Sequence, residues 1–328
     1  MSAKPPNRLA QVDAVKGAAI LLVVLGHAWR GLNADGLIEP ATFTALDSRI
    51  YAFHMPVFFA LSGLFFAQVL ARSTPWSFLR SRVLRLLWPL ILWTYIFLGI
   101  KVLAGTRANT PVSIEDLMIL PVPGVLHLWF LWALLLLHLG FALTRPVLAG
   151  TGSYSRPALW IMAAAVLAAQ AISFPADTLY WIGGALRHAP FFVIGLILGQ
   201  SRGLMAPSGY RGALALTGFA VVLIFWPQVE QSEFLHLAAR MFVTICFLLI
   251  FFSFGAMSAR PLVYLGTASM AIYLTHTIFS ASLREFLFVT GIENLTLHLT
   301  AGTAIGLIGP VVLREAIRGT RLERLMGF

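Results

Sequence analysis

Cysteine is nearly missing: Cys246 is the single one in 328 residues. No intrachain disulfide can form, and its place inside an apolar run fits a packed core side chain. Charge is scarce as well. Asp, Glu, Lys and Arg make up 11% of the chain, where a soluble protein carries about a quarter. Acids are the scarcer sign, 13 against 23 Lys and Arg, for a net charge of +10. The basic residues sit between apolar runs and form no single basic face. That argues against a nucleic-acid partner and fits the charge bias that orients membrane spans. There is no internal repeat, no long linker and no room for a separate soluble domain. The N-terminal apolar run carries Asp13, Lys16 and His27 and has no convincing cleavage site, so it reads as a span and not as a removed leader. What remains is a chain that is 59% hydrophobic. It is expected to be all-α, a polytopic transmembrane bundle forming one integral-membrane domain over 1–328, with the lipid bilayer as its first partner.

A span takes about 20 mainly apolar residues. By that measure about ten helices are expected, near 12–31, 48–70, 84–104, 125–144, 157–174, 180–200, 211–228, 236–257, 261–281 and 295–317. Ser, Gly and Pro mark turns between them, as in Gly150–Pro157 and Ala206–Gly209. The loops alternate in charge. One set holds Lys4, Arg8, Arg72, Arg80, Arg82, Arg145, Arg156, Arg202, Arg211, Arg260, Arg314, Arg318, Arg321 and Arg324. The other holds most of the acids: Asp35, Glu39, Asp47, Glu115, Asp116, Asp177, Glu230, Glu233, Glu285 and Glu293, with only Arg30, Arg49, Lys101, Arg107 and Arg284. Positive-inside charge then puts both termini in the cytoplasm. That topology gathers His27, His54, His127, Arg187, His188, His236, Arg240, His276 and His298 in the outer half of the bilayer, where they imply a polar pocket. His127, His236 and His298 fit core or interfacial roles, and His138, flanked by leucines, reads as structural.

The first helix carries the strongest pattern. Lys16 and His27 are eleven residues apart, three turns and a remainder, so they share a face about 16 Å apart along the axis. Asp13 lies one turn before Lys16. The stripe fits an active-site channel, and Lys16 also fits a snorkelling anchor. Phe53-His54-Met55-Pro56 leads to Ser62-Gly63, placing His54 at a bend near close helix packing. Arg82 and Arg85 are helical neighbours ahead of Pro89, suited to cradling phosphates or to anchoring. His127-Leu-Trp129-Phe-Leu fits a site wall or an aromatic belt, and Gly266-x-x-Ser269-x-x-x-Tyr273-Leu-x-His276 closes the series.

In these segments, taken in order over almost the whole chain, the sequence resembles the membrane acyltransferase-3 family. The family opens with a basic residue, ten positions and a histidine, here Lys16 and His27. It usually has arginine at the first place; lysine keeps the charge and loses the planar fork. The resemblance implies transfer of an acyl group, most often acetyl, from acyl-coenzyme A to a hydroxyl. Acyl-CoA, with acetyl-CoA first, is the expected donor, and a glycan or small hydroxyl compound the acceptor. His27 is expected as general base, or as a covalent acyl relay. Lys16 and Asp13 would orient the donor or His27, and Arg82 and Arg85 would hold donor phosphates. His54, Trp129, Arg187 and His276 would face the acceptor. No metal is expected, since the histidines are scattered. A bacterial inner membrane is the expected location. A transporter or flippase for a glycan lipid or small anion would use the same pocket without chemistry, although it lacks the repeats such folds show. A membrane anchor without a site would not need Arg187 or Arg240 within the bilayer.

Overall fold

A computed structural model describes residues 7–105, 112–113, 121–124, 126–147, 153–201, 203, 206–254 and 259–328, with side chains from residue 10. Lys4, Arg107, Glu115, Asp116 and Arg202, the Arg8 side chain, residues 150–152 of the expected turn, and residues 125 and 255–257 at two expected span ends lie outside the described residues. Among the described residues the chain is helical: α1 (Asn7–Ala34), α2 (Pro40–Arg72), α3 (Pro75–Arg82), a π-helical turn Val83–Leu87, α4 (Trp88–Ala104), α5 (Trp129–Ala142), α6 (Arg156–Ala168), α7 (Ala176–Gln200), α8 (Gly209–Ile224), α9 (Trp226–Val229), α10 (Glu233–Phe254), α11 (Arg260–Thr267), α12 (Ser269–Val289), α13 (Leu295–Ile317) and α14 (Arg321–Met326).

Six of these segments are long and apolar enough to cross a membrane: Ala10–Ala34, Pro40–Arg72, Pro75–Ala104, Ala176–Gln200, Glu233–Phe254 and Leu295–Ile317. The count therefore stops short of ten on length alone. Leu126–Ala142, Arg156–Ala171 and Gly209–Ile224 are apolar helices of 10–17 residues. At 1.5 Å per residue, 17 residues reach about 26 Å, less than the ~30 Å hydrocarbon core. The expected span near 261–281 is two helices, α11 and α12, bent by 84°. The break falls at Ala268, which ends one helix and starts the other at φ −93°, ψ 3°.

The chain divides into two compact units. The first comprises Met1–Leu61, Ser201–Arg324 and Phe328; the second comprises Ser62–Gln200 and Leu325–Gly327. In the first unit, α1 packs against α10, α11, α12 and α13, while α8 packs on α10 and α12 on α13. Val12, Val15, Ile20, Val23 and Val24 form the buried stripe of α1. Apolar surface gives little drive for helix association inside lipid, so small residues that admit close approach matter more. Gly17 and Gly266 supply that approach reciprocally: a Cβ at Gly17 would overlap the Leu262 carbonyl, and one at Gly266 would overlap the Asp13 carbonyl. In the second unit α7 packs against α5 and α6. Its core is aromatic: Phe66 lies 5.2 Å from Phe192, which stacks on Phe141 at 5.0 Å.

Proline inside a helix leaves the carbonyl four residues earlier without its N–H partner. Both units answer this with a side chain. Pro56 in α2 frees the Ala52 carbonyl, and Arg240 Nε donates to it at 3.1 Å. Pro190 in α7 frees the Leu186 carbonyl, and Gln170 Nε2 donates to it at 2.9 Å. At the start of α2, the backbone N–H groups of Ala41 and Thr42 donate to the Glu39 carboxylate at 2.9 and 2.8 Å, and they hold it below the usual carboxylate range. In the second unit, Trp88 Nε1 donates to the Leu325 carbonyl at 2.7 Å and Trp93 Nε1 to that of Met326 at 2.9 Å.

Candidate active site

In the first unit α1, α2 and α12 bring three histidines and a tyrosine into a chain of ring contacts. His27 on α1 is partly buried; its ring centroid lies 5.1 Å from that of His276 on α12 and 6.4 Å from that of Tyr51 on α2. Tyr51 meets His54 edge-on at 4.5 Å. His54 and His276 are buried, at 1% and 0% exposure. The helical repeat explains the grouping. Asp47, Tyr51 and His54 follow one another at four and three residues along α2, and His27 and Arg30 are three apart on α1. The two rows are tied by an ion pair: Arg30 donates to the Asp47 carboxylate through Nε at 2.7 Å and Nη2 at 2.8 Å. The Arg30 guanidinium also lies 3.3 Å above the centre of the Tyr51 ring.

The hydrogen bonds fix the tautomers of two of these rings. A carbonyl oxygen has no proton to give, so a ring nitrogen facing one must carry the hydrogen. His54 Nδ1 faces the Ile50 carbonyl at 2.6 Å. His276 Nδ1 faces the Ile272 and Tyr273 carbonyls at 2.8 and 3.0 Å. In both rings Nε2 is therefore the nitrogen with the lone pair. The Tyr51 hydroxyl is buried and has no hydrogen-bond partner among the described residues.

Asp13 and Lys16, at the other end of α1, form a salt bridge of 3.1 Å with side chains 24% and 36% exposed. Lysine meets its acid here as a point charge, one turn away, beside the close approach of α1 and α11.

The remaining expected site residues lie in the second unit. Arg82 ends α3, and Arg85 follows in the π-helical turn. The π-helical turn that holds Arg85 widens the spacing between them, and Arg85 is exposed. Arg82 donates through Nη1 to His138 Nε2 at 3.3 Å and through Nη2 to Ser81 Oγ at 3.3 Å, and lies 5.1 Å from the Phe78 ring. The same His138 nitrogen lies 3.0 Å from Ser62 Oγ, while its Nδ1 donates to the Leu134 carbonyl at 2.8 Å. His138, which the leucine context marks as plain core, is thus the acceptor that orients an arginine. Trp129 packs 5.2 Å from His188, whose Nδ1 donates to the Gly184 carbonyl at 2.8 Å. Arg187 is exposed on α7.

Sequence reasoning missed Tyr51, the Arg30–Asp47 pair and the Ser62–His138 contact. The signal for the first two was present, as polar residues recurring at helical spacing on two apolar helices. Chemically, the first unit holds imidazoles beside a hydroxyl, a set suited to moving a proton. The second holds an oriented guanidinium in an aromatic shell, a set suited to an anion.

Comparison with known proteins adds chemistry to this geometry. No solved structure matches the chain. The nodulation protein NolL of Mesorhizobium japonicum is 25% identical over 98% of this chain and 89% of its own length. That of Sinorhizobium fredii is 31% identical over 61% of this chain and 51% of its own length. Protein 2 in the picA locus of Rhizobium radiobacter is 30% identical over 44% of this chain and 72% of its own. The family model described as an acyltransferase domain matches residues 9–315, through both units. With that match over nearly its whole length, the chain belongs to the membrane acyltransferase-3 family and is a membrane acyltransferase that moves groups other than aminoacyl groups.

Proposed function

We propose that this protein transfers an acyl group, acetyl in the simplest case, from cytoplasmic acyl-coenzyme A to a hydroxyl of a cell-surface glycan or a related acceptor, with His27 as general base. The observation that carries the reading is the packing of His27 against His276 and Tyr51 in a chain of this family. A hydroxyl is a weak nucleophile. The His27 imidazole takes its proton as the oxygen bonds to the thioester carbonyl carbon. The tetrahedral intermediate then expels the coenzyme A thiolate, which recovers the proton from the imidazolium. The products are an ester and free coenzyme A. His276 and His54, each with an Nε2 lone pair, would receive acceptor hydroxyl hydrogens. Trp129 and Arg187 would line the acceptor's approach. Arg82 and Arg85 would hold donor phosphates, and Lys16, paired with Asp13, would orient the donor or His27. The setting is a bacterial inner membrane with both termini cytoplasmic, as the loop charges favour. Ten crossings follow if the bent pair and the three shorter apolar helices each count with the six long ones.

The test is His27→Ala in membrane vesicles given [14C]acetyl-coenzyme A, with alkali-labile label in the glycan fraction as readout. Label falls to background while the amount of inserted protein stays unchanged. Full turnover by the variant would remove His27 from the mechanism.

A further inference from the structure

Tyr51 is the residue of the first-unit cluster that folding does not account for. Its hydroxyl is buried and makes no hydrogen bond among the described residues. Such a hydroxyl is costly to keep, because it has given up water and gained nothing. Phenylalanine would fill the same space without that cost. The hydroxyl is also well placed. A Cβ at Gly26, the residue before His27, would lie 3.1 Å from Tyr51 Cε2 and 3.5 Å from the Tyr51 hydroxyl oxygen. The phenol group therefore rests against α1 beside His27, over a residue with no side chain to cover it. The ring has little freedom. The Arg30 guanidinium covers one face at 3.3 Å and is itself held by two bonds to Asp47, and His54 closes an edge at 4.5 Å. An aimed, braced donor with no acceptor of its own is what a developing negative charge requires.

We propose that Tyr51 is a catalytic residue whose hydroxyl donates a hydrogen bond to the acyl carbonyl oxygen as that oxygen becomes an oxyanion. This rests on the reading of His27 as the base. As the acceptor oxygen bonds to the carbonyl carbon and its proton passes to His27, the carbonyl electron pair moves onto oxygen, where the Tyr51 hydroxyl meets it. When the carbonyl re-forms and the carbon–sulfur bond breaks, the phenol keeps its own proton. The thiolate takes its proton from the His27 imidazolium.

The experiment compares wild type, Tyr51→Phe and His27→Ala in vesicles from producing cells that carry their own glycans, with [14C]acetyl-coenzyme A as donor. Initial rates are taken over a range of donor concentrations, and thermal unfolding of each purified protein is followed in detergent. Loss of one oxyanion donor is expected to lower kcat of Tyr51→Phe about a hundredfold. The donor KM should stay within about twofold, since the contact forms only in the transition state. The melting temperature should hold or rise, because the buried hydroxyl without a partner is gone. A kcat within about twofold of wild type overturns the proposal. So does a fall in kcat that comes with a lower melting temperature, which marks a packing role. If Tyr51→Phe is fully active while His27→Ala is inactive, the oxyanion role alone is lost. If His27→Ala is active, the base assignment is lost with it.

Discussion

The first unit's histidines and the second unit's His138 start from the same device and end in opposite states. His54, His276 and His138 each commit Nδ1–H to a carbonyl one turn back on their own helix. Each is thereby fixed with its lone pair on Nε2. At His138 that lone pair faces two donors, Ser62 Oγ at 3.0 Å and Arg82 Nη1 at 3.3 Å. Beside His54 and His276 stand further rings, with Tyr51 at 4.5 Å from the first and His27 at 5.1 Å from the second. One helical motif therefore serves two ends. A histidine pressed by cationic and hydroxyl donors acts as a strut for an arginine. Under the proposed function, the histidines set beside Tyr51 and His27 would face substrate. Tautomer alone does not reveal which role a buried histidine has; what its far nitrogen meets does.

This contrast can be broken by exchanging rings. His27→Ala should cost most, about a thousandfold in kcat at saturating donor, the range a general base supplies. His138→Phe should act differently: the Arg82 guanidinium loses its acceptor, the donor KM rises, and kcat at saturation stays near wild type. Donor titrations of both variants separate the two outcomes, and a His138→Phe effect confined to kcat would erase the distinction between the units. The proline partners sharpen the comparison in stability. Arg240→Met leaves the Ala52 carbonyl without its donor, and about 1–3 kcal/mol should be lost in chemical unfolding. The same variant in a Pro56→Ala background should cost less, because alanine in place of the proline restores the helix N–H. Gln170→Leu in the second unit should lie lower in that range, since a neutral amide makes the weaker bond. Last, Arg82→Lys keeps the charge but loses the fork. A rise of about threefold in donor KM with unchanged kcat is expected if phosphate contact depends on fork geometry.

How much of this was legible beforehand follows from the range of each interaction. Helix α1 and its Asp13–Lys16 pair were legible because a salt bridge at three residues' spacing needs nothing beyond one helix. The apolar runs fixed the other long helices in the same way. The 84° break at Ala268 was hidden, since hydrophobic residues continue on both sides and Gly266, two residues before it, does not by itself separate a bend from a close helix contact. Gly266 also seats α11 against α1 at Gly17, a contact between segments far apart in the chain. Pro56 announced a freed carbonyl, but not that its donor would be Arg240, on another helix. His138 reads as structural from its leucine neighbours, but its partners, Ser62 and Arg82, stand 76 and 56 residues away and were not legible. Tyr51 was passed over because a tyrosine in a span reads first as an interfacial aromatic.

Trp88 and Trp93 take hold of the stretch around Leu325 and Met326 through main-chain oxygens. Such a clasp is blind to side-chain identity. The two gripped positions can drift freely among relatives while the docking endures, and what must persist is the pair of indoles on α4. A search for this latch in related chains should look for spaced tryptophans, because the tail they secure need share no letters at all.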